Sequence, residues 1–548
     1  MTGQLDSGQE SFWSRLARDL FARAIGVPKL PDAPPPVPTR PILLELANES
    51  DSVIAFEVRE GCVAEAEEKL GALRQKIVEW QPASTGTVRD DGTLDRIWVN
   101  LLRLGLFDEL RHLAGPSCNL PFRSEIKAFL DHGATQFAAS QARGAAYRAR
   151  HPDVDIFTMG CIVWGEEYIR NFLRYNIRSM LSEDNLPALA RQGRIVFSIV
   201  TDAAGERRLR TDPLFAKLCE FADVEFTIVP DSLIEILRNG HVVKHFYVLY
   251  GMLDHCSIYF AEGAGSHLFM IPVDCVVASG TLVNMANYRH QGYECCGGGN
   301  LVAETETFLP AIDARFGSEG PIRISTYELA SLAFQHAHHY FQSQVIAAEN
   351  RDFGRHPREL FWPVEGGVEI HSVFIHPLFT TASGLAKYRR KHFANIDYGM
   401  IPRLFTHPGS IKLMDPSLAY VNNFTAAHRR YETTGRSFTY EDFLRCHDWT
   451  YPVQKACFTQ AQHLPCKLVG YTACNDIAQD VREINALFGV KVDGAATAPS
   501  REGAGGADQS HRRAAGEEGR TLVDVGHIVE VQRRQKLTDL YLYVVDTC

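Results

Sequence analysis

HLFMIPVDCVVASGTLVNMANY, residues 267–288, is the stretch on which the reading of the fold turns. Leu268 to Ile271 form an apolar run, Pro272 breaks it, and a single carboxylate, Asp274, follows. A second apolar patch leads into Ser279-Gly280-Thr281 and then into a segment with helical spacing. A buried strand that ends in an acid and passes into a helix is how open α/β sheets present a ligand site at their carboxyl edge. The competing reading makes Asp274 a turn residue and nothing more.

Upstream, the same alternation repeats. DIFTMGCIVW (155–164), RIVFSIVTD (194–202) and VEFTIVPD (224–231) read as buried strands. EEYIRNFLRYNIRSMLSE, PLFAKLCEFA and VVKHFYVLYGMLDHCSIYFAE read as the helices between and after them. Connections of that length suit parallel crossovers. The pattern predicts an α/β domain over 151–415, an open and mostly parallel sheet with helices on both faces. Downstream, STYELASLAFQHAHHYFQSQVIAAEN (325–350) predicts one helix, and VEIHSVFIHPLF (368–379) predicts a strand with a proline stop.

The rest of the chain divides by composition. Ser11–Ile25 predicts a short amphipathic helix, which packs on its own protein or docks on a membrane surface or a partner. Pro31–Pro41 predicts a stiff linker, so 1–41 forms one segment. Helical spacing from Val63 to about Leu130 predicts a small helical domain over 42–150. A helical extension is expected over 416–490. The Ala-, Gly- and Ser-rich stretch in 491–548 predicts a largely disordered tail.

With 548 residues, 45% hydrophobic and 22% charged, the composition is that of a globular protein of several domains. The net charge of −10 excludes a general nucleic-acid binder. No apolar run reaches the roughly eighteen residues that a membrane helix needs. The polar start lacks a secretory pattern, so the 13 cysteines are expected as reduced thiols in a cytoplasmic protein.

Three expected strand ends carry acids: Asp202, Asp231 and Asp274. Each is either a ligand contact along one sheet edge or a helix cap or turn former. His371 and His376 are five apart, so on one strand they face opposite ways. His376, just before Pro377, is the better ligand candidate. Asp397, in FANIDYG, is either a general base for a hydroxyl or a turn residue. Glu365, before two glycines, reads as a turn. Gln335–His339 are expected on a helix, with His336 and His339 on one face as a metal pair or as structural residues. Cys295-Cys296-Gly297-Gly298-Gly299-Asn300 reads as a mobile glycine turn, without the Lys and Ser/Thr of a P-loop.

Over residues 155–413 the chain resembles nucleotide-sugar glycosyltransferases of the GT-A fold. The resemblance rests on the strand–helix order, on PVDCVVASGTL, and on EIHSVFIHPLF followed by HFANIDYG. It implies transfer of a sugar from a nucleotide sugar to a glycan or other hydroxyl acceptor. It further implies Asp274 and a late histidine, His376 or His371, as ligands of Mn²⁺ or Mg²⁺. Asp202, with Asp231, Ser279 and Gly280, would contact the nucleotide, and Asp397 would be the base of an inverting reaction. The sequence departs from the family in one respect: Pro272 stands where the first acid of an Asp-x-Asp pair would be. A non-catalytic binding or scaffold protein on the same fold is the alternative.

Overall fold

The computed structural model describes residues 46–50, 63–79, 97, 100–101, 104, 106–113, 124–238, 246–346, 352–353, 359–372, 378–386, 408–427, 438–439 and 457–468. The expected helix at Ser11–Ile25, the linker Pro31–Pro41, His376, Asp397 and the tail beyond residue 468 lie outside them. Three described helices come first: α1 (Val63–Glu79), α2 (Phe107–Leu113) and α3 (Ser124–Arg150).

The alternating segment folds as its pattern predicts. β1 (Ile156–Ile162), β2 (Arg194–Thr201), β3 (Asp223–Ile228) and β4 (His267–Met270) are parallel neighbours in the order 3-2-1-4. Between them run α4 (Glu166–Asn171), α5 (Leu186–Ala190), α6 (Ala203–Arg210), α7 (Pro213–Leu218), α8 (Asp231–Arg238) and α9 (Phe246–Ala264). Every residue of β1 is buried, as expected of a parallel strand covered on both faces. The period of two is explicit in its packing. Phe157, Met159 and Cys161 join Ile169 and Phe172 on one face. On the other, Ile156 meets Tyr147 and Phe260, and Ile162 meets Met252 and Cys256.

That second face is covered by α9, which is clamped in turn by α3. Their backbones touch. A Cβ on Gly144 would lie 2.1 Å from the Phe260 carbonyl oxygen, and one on Gly263 would lie 2.1 Å from that of Gln141. Arg148 extends the clamp by donating to the carbonyls of Ala264 and Gly265 at 2.6 and 2.9 Å.

After β4 the chain departs from the expected single strand. Pro272 has no N–H to extend the ladder, and β5 (Cys275–Val277) pairs in a different sheet with β13 (Val421–Thr425), itself beside β7 (Val302–Glu304). The main sheet continues beyond β4 through β11 (Leu378–Thr380), antiparallel, then β6 (Cys295–Gly297) and β12 (Ile411–Leu413). A third sheet joins β9 (Glu359–Val364), β10 (Gly367–Ser372) and β15 (Gln462–Pro465), all antiparallel. Two-residue strands β8 (Asp352–Phe353) and β14 (Phe438–Thr439) pair separately.

Four sequence expectations are corrected here. The helical extension expected over 416–490 instead gives, among the described residues, β13, β14 and β15 to three different sheets. The segment 368–379 supplies two strands, β10 and β11, to two different sheets. The expected helix over 325–350 is two, α12 (Thr326–Gln335) and α13 (His339–Gln342), following α10 (Thr281–Asn287) and α11 (Thr305–Phe316). Backbone bonds from Glu304 N to His336 O and from His338 N to Val302 O interrupt it. His336 therefore closes α12 and His338 caps α13. The glycine run is not a mobile turn. Residues 295–300 are all buried, the Gly299 amide donates to Gln462 Oε1 at 3.0 Å, and Gln462 Nε2 donates to the Met414 carbonyl at 2.7 Å.

The chain of α4 continues through a π-helical segment (Phe172–Ile177) into one further turn (Arg178–Met180). Arg178 is fully buried, and the charge is answered by carbonyls rather than a contacting carboxylate. Its guanidinium donates to Gly320, Glu319, Phe316 and Arg174 oxygens at 2.6 to 3.3 Å. Three of these acceptors lie at or just past the carboxyl end of α11, where the helix dipole favours a cation.

Two measurements check these contacts. In urea unfolding, Gly144→Ala should lower stability by about 1–3 kcal/mol through overpacking. Gly71→Ala on exposed α1, with nothing within 4 Å of its added Cβ, should raise it by about 0.5–1 kcal/mol. The second concerns His267, whose ring stacks between Phe157 and Phe379 and whose Nδ1 accepts the Ala382 amide. Burial pushes its pKa down from 6.5 to about 4, opposed by Asp155 and aided by Arg289, His290 and Arg148. The unfolded chain takes up this proton near pH 6.5 and the folded chain not until about 4. Stability therefore falls as pH drops through that window, by about 3 kcal/mol at most from this group. His267→Phe should remove that part of the slope.

Candidate functional site

In a 3-2-1-4 sheet the crevice opens outside the carboxyl ends of β1 and β4, where the strand order reverses. The register sets these ends together: Ile162 of β1 lies beside Val200 of β2, and Gly160 beside Met270 of β4. Leaving β1, the chain passes Val163 and Trp164 to Gly165, whose φ of 79° and ψ of 146° lie where side-chain-bearing residues rarely go. α4 follows, with Glu166 and Glu167 in its first turn. Those carboxylates answer the positive end of α4 themselves.

The three acids follow three different strands, and the strand spacing separates them. Neighbouring strands lie about 4.8 Å apart, so β2 and β4, on either side of β1, are about 10 Å apart, and β3 is about 14 Å from β4. Asp231 sits exposed in the first turn of α8, at the far side. Asp202 is 6% exposed and caps α6, with Oδ1 accepting the Gly205 amide at 2.5 Å. Beside it, the buried Thr201 hydroxyl finds no hydrogen-bond partner among the described residues.

Asp274 is half-buried in the short link from β4 to β5. Its carbonyl accepts the Phe424 amide of β13 at 3.0 Å. The next residue, Cys275, is fully buried, and burial holds its thiol well above 9.0, with the Asp274 charge adding to the effect. Its Sγ donates to the Pro272 carbonyl at 2.9 Å. The link is held from the other side by the amide of Asn176, which donates to the Pro272 and Cys275 carbonyls at 3.0 and 3.3 Å. Ser179 and Asn185 continue the lattice: Val277 N donates to Ser179 Oγ, and Asn185 Nδ2 donates to the Ala278 carbonyl, each at 3.0 Å.

Ser279 and Gly280 lie at the other end of β5 from Asp274. Asp274 enters β5, whereas Ser279 and Gly280 leave it, five residues on. At about 3.3 Å per residue the separation along the chain is about 16 Å. Ser279 Oγ bonds Ser182 Oγ at 3.2 Å, and Gly280, with φ 83°, opens α10. Ser279 is joined to the buried lattice through Ser182.

The cation implied by the family resemblance needs several oxygen or nitrogen ligands together. Among the described residues no three His, Cys, Asp or Glu side chains come together to hold one. Cys275 keeps its proton, and Pro272 offers no side-chain donor. Both ring nitrogens of His371 face protein oxygens, Nδ1 with Phe458 O at 2.7 Å and Nε2 with Glu369 Oε1 at 3.0 Å. His371 is thus withdrawn as a metal ligand, and His336 and His338 serve helix ends. The described residues bring no set of ligands together around Asp274 and do not make a cation site by themselves. The residue that sequence reasoning missed is Asn176. A polar residue amid helical spacing gives no signal of carbonyls a hundred residues away.

Capping by Asp202 is open to a direct check. Asp202→Ala should cost about 1 kcal/mol of stability, and Asp202→Asn, which caps equally well, should restore it. A loss in Asn equal to that in Ala would show that the carboxylate is needed for something other than the cap.

No family model matches the sequence, and no curated protein matches it. Among solved structures, the apo form of mouse xyloside xylosyltransferase 1 is similar at 10% identity. The match covers 48% of this chain and 85% of that one, with a TM-score of 0.22. A likeness that slight carries no weight on fold or activity. Among the described residues no helix is long and apolar enough to cross a membrane.

Proposed function

We propose that the chain is a glycosyltransferase that moves a sugar from a nucleotide-sugar donor to a hydroxyl of a glycan or other acceptor. The observation that carries the reading is the position of Asp274. It follows β4 at the carboxyl edge of a 3-2-1-4 parallel sheet, beside the point where the strand order reverses and where such sheets take nucleotides. The resemblance over 155–413 points to the same residue independently.

In this reaction the acceptor oxygen bonds the anomeric carbon, the bond from that carbon to the phosphate oxygen breaks, and the nucleoside diphosphate departs. The acceptor proton passes to a base, for which Asp397 is the candidate in an inverting enzyme. Asp274 orients the donor through its sugar or ribose hydroxyls. Asp202 lends the edge a second carboxylate while it caps α6. Mn²⁺ or Mg²⁺ would need ligands beyond the described residues, His376 among them.

The second reading is a non-catalytic nucleotide-sugar or glycan binder. It is favoured by one observation, that Pro272 leaves Asp274 without the paired acid.

The test uses the full chain and a panel of UDP-, GDP- and ADP-sugars, with binding read by calorimetry and donor hydrolysis read with and without Mn²⁺. The wild type should bind at least one donor and hydrolyse it. Asp274→Ala should reduce turnover by roughly a hundredfold. Binding without turnover selects the second reading, and absence of binding to every donor overturns the transferase reading.

A further inference from the structure

We propose that Asn176 is the positioning residue for Asp274: from the π-helical segment, its amide fixes both ends of the link that carries the acid. As an account of the active site the proposal rests on the transferase reading above; as an account of the fold it does not.

Pro272 to Asp274 belong to no strand. A link between two sheets would be free to shift unless something held its backbone. Asn176 Nδ2 contacts three acceptors in that link: the Pro272 carbonyl, the Cys275 carbonyl and Cys275 Sγ, the last at 3.0 Å. These acceptors lie on either side of Asp274. The bonds fix which end of the amide carries the N–H groups, since an oxygen there would face three acceptors. The remaining atom, Asn176 Oδ1, is buried and has no hydrogen-bond partner among the described residues.

That orphan oxygen is informative. A buried acceptor without a donor costs stability, and native chains leave few of them. An apolar residue at 176 would avoid that cost but strip the Pro272 and Cys275 carbonyls of a donor. The asparagine is kept, with one end unsatisfied, for what its other end does to the link.

The π-helical geometry supports this. Single π turns inside α-helices recur at functional sites. Here the π segment spans Phe172–Ile177 and contains Asn176. Ser179, one turn on, donates to the Asn176 carbonyl at 2.8 Å and accepts the Val277 amide. The helix thus holds the link at Pro272, Cys275 and Val277, while β13 holds Asp274 through its carbonyl. The backbone on either side of Asp274 is thus held from two directions.

The test compares wild type, Asn176→Leu and the isosteric Asn176→Asp, each alone and with Asp274→Asn. Amide hydrogen exchange is followed in peptides covering 271–278 and, as a reference, in β1. Asn176→Leu should speed exchange in 271–278 by about tenfold or more and leave β1 unchanged. If the Leu variant does not fold, Asn176→Asp, which keeps the volume but cannot donate as a carboxylate, gives the same reading. Unchanged exchange in 271–278, or an equal rise in β1, overturns the proposal.

Donor turnover supplies the second arm. Each Asn176 variant should lower it roughly tenfold in the wild-type background and cause no further loss in Asp274→Asn, because both act through one carboxylate. Additive losses overturn the positioning role. If the wild type binds no nucleotide sugar, the transferase reading fails, and exchange alone decides whether Asn176 sets the link.

Discussion

One missing hydrogen-bond donor, on the nitrogen of Pro272, governs how the sheets are joined. β4 pairs with β1 and β11 as far as Met270, and the chain cannot extend that ladder past the proline. It crosses instead to β13 and builds β5 there. The residues in transit lose their strand partners, and their carbonyls must find other donors. Asn176 and the Cys275 thiol meet them. Without the proline the main sheet would run on and Asp274 would be a strand residue facing one side of it. With the proline, it stands in a short link at the carboxyl edge.

How much of this was legible in the sequence depended on what forms each element. β1 to β4 and their helices were readable because each is a buried run whose composition alone distinguishes it. The failures came where pairing at a distance decides the outcome. His336 to His338 carry no breaker, yet the strand at Val302 takes their backbone groups and ends α12. The run 368–379 looks continuous, but its two halves find partners in different sheets. The glycines at 297–299 suggested freedom because glycine is permissive. They are there for closeness: a Cβ at Gly299 would stand 2.7 Å from the Ile370 side chain. Of the site, Asp274 was legible from its proline and its apolar flanks. Asn176 was not, because its partners are 96 and 99 residues away.

The chemistry around the carboxyl edge is uneven. Asp202 has a structural duty that any short acceptor can perform, and Asp231 is set apart by the width of the sheet. The buried histidines and cysteines are similarly committed: His371 is tied at both nitrogens, and burial holds the Cys161, Cys295 and Cys296 thiols protonated. The carboxylate that remains as a candidate for ligand chemistry is the one set by the link.

The close packing of α3 on α9 at Gly144 and Gly263 bears on where this chain can be cut. Change of composition near residue 151 marks a natural-looking boundary between a helical segment and an α/β unit. Yet α3 lies on the near side of that boundary and lends Tyr147 to the cluster that covers Ile156, Val196 and Phe260. A fragment begun at 151 would carry α9 with its glycine-lined groove empty and an apolar strip facing water. Such a fragment is prone to self-association. One begun ahead of Ser124 keeps the helix that closes the groove. The smallest autonomous unit is therefore longer than the sheet it contains.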